Sequence, residues 1–203
     1  MIYLYFGLPG TGKTSMIAYL AHNKSFRRKY KNLYSNIRMS DTDYTYIKND
    51  WIGKYMIADG AILIDEGSIF ADSRDYKNFS KSLRDFIYLH RHYGVDIYIW
   101  SQRIGSVDKA IRELSNRTYY MYRPLLTGWY KTKWYQIPYG IVIPDAKKNR
   151  ERTGNALGEI EEGYYKPSLL TRLFFSKSFN RHKTYAYFDS WEAPELPPIP
   201  KEK

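Results

Sequence analysis

The chain has 203 residues, enough for one α/β domain with a buried core, and its lack of cysteine excludes disulfides and thiolate metal sites. Lys and Arg outnumber Asp and Glu by 32 to 21, a net charge of +11, and 22 tyrosines raise the aromatic share to 18%. Such a surface favours polyanions, nucleic acid or anionic lipid, and with no run of 18 apolar residues neither a membrane span nor a signal peptide is expected.

The first element is the apolar, β-prone run "IYLYF" (2 to 6), and "GLPGTGKTS", Gly7 to Ser15, follows it directly. Gly7, Gly12, Lys13 and Thr14 satisfy G-x-x-x-x-G-K-[ST], and a helical pattern from 15 to 21 completes the strand-loop-helix context that this phosphate-binding motif requires. The loop Gly7, Leu8, Pro9, Gly10, Thr11, Gly12 folds back so that the backbone N–H groups of roughly residues 10 to 15 converge on one point at a helix N-terminus. Pro9 stiffens the turn and brings no N–H. Lys13 is expected to reach the β- and γ-phosphates and Thr14 to offer its hydroxyl to Mg²⁺. No Asn-Lys-x-Asp-like guanine-reading string occurs, so ATP is the expected nucleotide.

Next come a strand at 33 to 37 ("LYSNI") and one at 61 to 65 within "AILIDEG". An apolar strand ending in an acidic pair places a Walker B carboxylate opposite Thr14: Asp65 is expected to hold the Mg²⁺ shell and Glu66 to polarise the attacking water. Residues 79 to 92 form an amphipathic helix with Phe79, Leu83, Phe86, Ile87 and His90 on one face and Gly94 as its stop. His90 thus falls in the apolar stripe, as a core or interface histidine. His92 lies on the opposite side, so the two cannot share a metal. "VDIYIWSQ" reads as a strand over 95 to 101 that delivers Ser101 and Gln102 to the ligand-binding edge, where Gln102 could touch the γ-phosphate or the water. A helix over 107 to 114 capped by Ser106 and a strand over 118 to 122 complete the βα alternation, which implies a parallel sheet with helices on both faces. After residue 124 the pattern changes. "GWYKTKWYQIP" alternates like an exposed hairpin strand, 147 to 163 is polar and loop-like, "TYAYF" (184 to 188) is a candidate last strand, and "APELPPIPKEK" forms a stiff tail. The expected division is a P-loop domain over 1 to 165 and a C-terminal extension over 166 to 203, a candidate linker to a membrane segment.

The string from "LIDEG" through a helix closing on "HRHYGVDIYIWSQ" resembles the zonula occludens toxin-like ATPases, the cytoplasmic motor domains of filamentous phage assembly proteins. Gly7 to Thr14, Asp65 with Glu66, His90-Arg91-His92 with Gly94, and Ser101-Gln102 occur in that family's order, over about residues 1 to 123. The resemblance implies a RecA-like sheet, ATP and Mg²⁺, a homo-oligomeric ring, and work at the inner face of the host inner membrane during virion extrusion. The partners so implied are phage coat or assembly proteins. Single-stranded DNA and an anionic membrane surface are the partners that the charge suggests. The toxin activity behind the family name belongs to regions outside this match. In a ring, Arg84, Arg91, Arg103, Arg112 and Arg117 are candidates for an arginine that completes a neighbour's site. Two other readings stay open on the sequence. "GLPGTGK" also suits a small nucleotide kinase-like phosphotransferase, although such kinases rely on arginine-rich lids and make little use of an acidic pair with a strand-end Gln. A viral DNA-packaging ATPase is the other, since the resemblance places the family within a wider group of ring-forming DNA pumps and export motors that carry a Gln after the strand next to Walker B.

Overall fold

The computed structural model describes residues 1–66, 81–137 and 175–189. Eight strands among them form one sheet: β1 (Ile2–Phe6), β2 (Asn32–Ser35), β3 (Thr45–Tyr46), β4 (Gly60–Ile64), β5 (Val95–Ser101), β6 (Arg117–Tyr122), β7 (Lys131–Ile137) and β8 (Lys177–Asn180), in the order β3-β2-β4-β5-β1-β6-β7-β8. All neighbours from β3 through β6 are parallel, and β7 and β8 add antiparallel. The sheet is therefore mixed rather than wholly parallel, because a short hairpin after β6 returns the chain antiparallel where a helical crossover would have kept it parallel. β5 lies between β1 and β4, so the strand ending in Ser101 separates the P-loop strand from the acidic strand.

The central strands are buried on both sides and read as continuous apolar runs; all five residues of β4 are buried. Their two faces differ in chemistry. Ile2, Leu4, Ile62, Ile64, Ile97 and Ile99 form an aliphatic face that packs against α3 (Lys81–Leu89) through Leu83, Phe86 and Ile87, and against α4 (Lys109–Leu114) through Ile111. The opposite face is aromatic, with Tyr5, Tyr98 and Trp100 packing with Met16, Ile17 and Ala21 of α1 (Lys13–His22) and with Phe26 of the short α2 (Lys24–Arg27). Tyr3 stacks on Tyr98 at 4.5 Å and Tyr5 on both Trp100 (4.9 Å) and Tyr119 (4.7 Å), cross-strand pairs that hold β5, β1 and β6 in register. Part of the high tyrosine content thus serves the sheet rather than the surface.

Several expected elements differ. "KTKWYQI" is not an exposed strand: Thr132, Trp134, Tyr135 and Ile137 are buried, because β8 covers its outer edge, Trp134 joins the aromatic cluster on the α1 face, and Tyr135 and Ile137 pack with Phe6 and Ile104 on the other. "TYAYF" is no strand; Arg181–Tyr187 winds as a 3-10 helix capped by the Asn180 side chain, which accepts from the His182 N–H at 3.0 Å, and β8 precedes it. The cap of α4 is Asp108, whose Oδ1 accepts from Ala110 N at 2.8 Å, while Ser106 bonds back to Arg103 O instead. Within the expected C-terminal extension, β8 hydrogen-bonds antiparallel to β7 and so lies in the same sheet as the P-loop strand. The start of the helix expected from 79, the polar stretch 147 to 163 and the proline-rich tail lie outside the described residues.

Candidate nucleotide site

At the carboxyl end of β1 the chain enters a loop in which Gly10 (φ 74°) and Gly12 (φ 90°) take left-handed conformations that side chains rarely adopt. Gly12 is doubly constrained, since a Cβ there would stand 2.7 Å from Thr132 Oγ1. Gly12 is also the N-cap of α1 and offers no side-chain acceptor, and no acidic residue occupies the first turn, so the N–H groups at this helix start are left for an anion. Thr11 closes the turn internally, its N–H and its hydroxyl both donating to Leu8 O at 3.2 and 2.8 Å. Lys13 is buried and donates from Nζ to Gly7 O (3.0 Å) and Leu8 O (3.3 Å). Burial pulls its ammonium below the ordinary lysine range, and the charges of Glu66 and Asp65 oppose that pull. Leu8, Pro9 and Gly10 are exposed at the tip, and Ser15 is buried in α1.

The acidic pair lies where its spacing predicts. Thr14 Oγ1 donates to Asp65 Oδ2 at 2.5 Å, bringing together a hydroxyl from α1 and a carboxylate from the end of β4. Burial raises the Asp65 carboxyl above its usual range, the Thr14 bond opposes the rise, and the negative Glu66 adds to it. A half-buried carboxylate beside a hydroxyl is a hard oxygen donor pair, the kind that takes Mg²⁺ together with substrate phosphates. The residues present therefore fit the metal. Glu66 has a left-handed backbone (φ 51°), uncommon for a residue with a side chain, and its Oε1 accepts from Gln102 Nε2 at 3.1 Å. Gln102 is thus brought to the site as expected, but against Glu66.

The structure adds three residues to the site that no motif singles out. Asn36, just past β2, donates from Nδ2 to Asp65 O (2.9 Å) and accepts at Oδ1 from Asp65 N (2.8 Å), fixing the Asp65 backbone. The sequence does carry a signal for it: a polar residue at the carboxyl end of a parallel strand. Thr132 in β7 donates from Oγ1 to Thr11 O at 2.6 Å. Arg181, 6% exposed, donates from Nη1 to Gly10 O at 3.0 Å and from Nη2 to Gly128 O and Trp129 O, the latter at 2.8 Å. No local pattern distinguishes Arg181 from the other arginines, because its acceptors are backbone carbonyls at sequence separations of 52 or more.

Of the arginine candidates, Arg103 directly follows Gln102 at the nucleotide edge. Arg84 lies half-buried in α3, and Arg112 donates from Nε to Val107 O at 3.0 Å. Arg91 precedes β5 and Arg117 opens β6 opposite Tyr3, so both sit at the far edge of the sheet from their own P-loop. His90 is buried, as its place in the apolar stripe predicts, and its Nδ1 donates to Ile87 O at 2.6 Å.

A family model described as zonular occludens toxin (Zot) matches residues 20–153, which begins past the P-loop and runs beyond residue 123. Among solved structures, the N-terminal domain of zonular occludens toxin from Neisseria meningitidis is similar with a TM-score of 0.56 and 17% identity, over 93% of this chain and 98% of that one. The genome packaging NTPase B204 from Sulfolobus turreted icosahedral virus 2, in complex with sulfate, gives a TM-score of 0.49 and 11% identity over 67% of this chain and 90% of its own. The flagellar accessory protein FlaH from Methanocaldococcus jannaschii gives 0.44 and 12% identity, over 68% and 78% respectively. No curated protein sequence matches the chain. The P-loop, the acidic strand and the intervening strand with its terminal Gln together make this a P-loop NTPase fold of the RecA-like kind.

Proposed function

This chain belongs to the zonular occludens toxin (Zot) family, and we propose that it is a Mg²⁺-dependent ATPase motor that drives filamentous phage assembly and extrusion at the inner face of the host inner membrane. The observation that carries the ATPase reading is the Thr14–Asp65 contact with Gln102 on Glu66 beside it, two acids and an amide gathered around one P-loop. Thr14 and Asp65 would hold Mg²⁺, which would supply charge neutralisation for the nucleotide's phosphates. The N–H groups of residues 10 to 15 bind the phosphates, and Lys13 exchanges its loop carbonyls for them. Glu66 orients the attacking water and takes up its proton, and Gln102 holds the Glu66 carboxylate in place through Oε1. Asn36, through its two bonds to Asp65, keeps the acidic turn from drifting.

A motor differs from a lone hydrolase in needing a neighbour. The ring is therefore the second part of the proposal, with one of Arg84, Arg91, Arg103, Arg112 and Arg117 reaching the adjacent subunit's γ-phosphate. The +11 charge supports a polyanionic partner, a lipid surface or single-stranded DNA, beside the coat or assembly proteins. Phosphate release measured over a range of protein concentrations tests this: specific activity is expected to rise with concentration, and an arginine-to-Ala variant mixed with Lys13→Ala should regain activity that neither has alone. Concentration-independent turnover by a protein that stays monomeric with ATP and Mg²⁺ would overturn the motor. Stimulation by anionic liposomes, rather than by single-stranded DNA, is the outcome that favours extrusion over packaging.

A further inference from the structure

We propose that Trp129, flanked by His182 and Tyr185, is the platform on which the nucleotide's purine base stacks, an inference that rests on the P-loop reading above. The direction of the bound nucleotide follows from the sheet. Asp65, Glu66 and Gln102 stand at the ends of β4 and β5, so the γ-phosphate end points to that side of the loop. The base must then lie on the opposite side of β1, over β6, β7 and the C-terminal 3-10 helix.

That side carries an aromatic cluster tied directly to the loop. One Arg181 guanidinium bonds both Gly10 O and Trp129 O, at 3.0 and 2.8 Å, so the Trp129 backbone is one guanidinium's width from the phosphate loop. His182 also reaches Trp129 O from Nε2 (3.0 Å) and stands edge-on to the indole at 5.5 Å and 76°. Tyr185 follows at 5.2 Å from His182. Tyr130 tilts against the indole at 4.4 Å and 60°, and these contacts hold Trp129 through its backbone and ring, yet Trp129 is 65% exposed and Tyr185 49% exposed. A pinned aromatic with an open face beside a phosphate site suits a planar base, since stacking needs a π-face and no hydrogen-bond match.

ADP and inorganic tripolyphosphate are the probes that separate base from phosphate, with binding read by calorimetry on the full chain. Trp129→Ala is expected to weaken ADP by about tenfold to a hundredfold, the range for loss of one base–aromatic stack, while leaving tripolyphosphate affinity unchanged. Trp129→Phe should recover most of the loss. Tyr185→Ala, a second exposed position, should give a smaller loss of the same kind. Equal weakening of ADP and tripolyphosphate by Trp129→Ala would show a support role for the loop and overturn the proposal, as would unchanged ADP binding. Failure of the wild type to bind either probe would overturn the P-loop reading itself and this inference with it.

Discussion

The two flanks of the P-loop are built on different principles. On the β4–β5 side, side chains meet side chains: Thr14 with Asp65 and Gln102 with Glu66. On the β7–β8 side, side chains meet backbone, with Arg181 and Thr132 occupying carbonyls of Gly10 and Thr11. In the proposed mechanism the first flank performs the chemistry and the second holds the loop in the shape the chemistry needs. Substitutions should therefore separate: on the first flank turnover falls with binding intact, and on the second binding and stability fall together.

The sharpest break falls on the chemical flank and on the loop between. Lys13→Ala should remove most nucleotide binding, whereas Glu66→Gln should keep binding and lower kcat on the order of 10²-fold or more, the usual contribution of a positioned general base. Single-turnover kinetics with equilibrium binding would separate the two; wild-type hydrolysis by Glu66→Gln would remove Glu66 from the mechanism. Gln102→Ala should be milder, slowing hydrolysis with ADP affinity nearly unchanged, because Gln102 acts on the Glu66 carboxylate and ADP has no γ-phosphate to be attacked. Equal losses for ADP and ATP would move Gln102 to the structural flank.

On the supporting flank, Arg181→Ala removes a charged donor from the carbonyls of Gly10, Gly128 and Trp129, although Gly128 O keeps Arg123 Nε and Trp129 O keeps His182 Nε2. Bonds to a charged group are worth about 1.5–3 kcal/mol each, so a loss on the order of 3 kcal/mol is expected, visible as a lower denaturation midpoint and weaker ADP binding together. Arg181→Lys should recover little, since an ammonium cannot span two carbonyl sets as the fork does. An Arg181→Ala protein of wild-type stability that only loses turnover would erase the distinction between the flanks.

The same division explains how much of the site is legible in the sequence. The chemical flank announces itself because its residues are consecutive or close to strand ends: "GLPGTGKT", "LIDE" and "WSQ" are short strings whose residue types have one joint use. Asn36 is an intermediate case, standing at a strand end but with a partner 29 residues away that only the β2–β4 register identifies. The supporting flank is silent because Arg181 and Thr132 act on main-chain atoms of the loop more than 100 residues away, and any donor of the right reach would serve. The strand expected at 184 to 188 fails for a related reason. Its β-prone residues are overruled by the Asn180 cap and by packing of the 3-10 helix against α1, where His22 stacks on Tyr187 at 3.7 Å.

The smallest expected effect lies far from both flanks, at the opposite edge of the sheet, and tests whether acid acts on the fold or on the site. Burial holds the His90 imidazole below its ordinary range, its bond to Ile87 O opposes the shift, and the N-terminal ammonium and Arg91 deepen it, with Asp96 opposing. A folded-state value below the unfolded one means that the stability His90 permits is fully present above about pH 6.5 and declines as pH falls through that value, where the unfolded chain takes up a proton that the folded chain refuses. Asp65 works in the opposite sense, since its raised carboxyl makes the folded chain the better proton binder. The net acid response of the wild type therefore mixes the two, and the useful quantity is a difference. His90→Gln keeps a side-chain donor for Ile87 O but cannot titrate, so its stability relative to wild type should rise as pH is lowered from 7.5 to 5.5, by less than about 1.4 kcal/mol per pH unit, the limit for one proton. Denaturant midpoints at the two pH values measure it. A constant difference between the proteins would mean that His90 takes up its proton as readily in the fold as out of it, and acid sensitivity would then belong to the nucleotide edge alone.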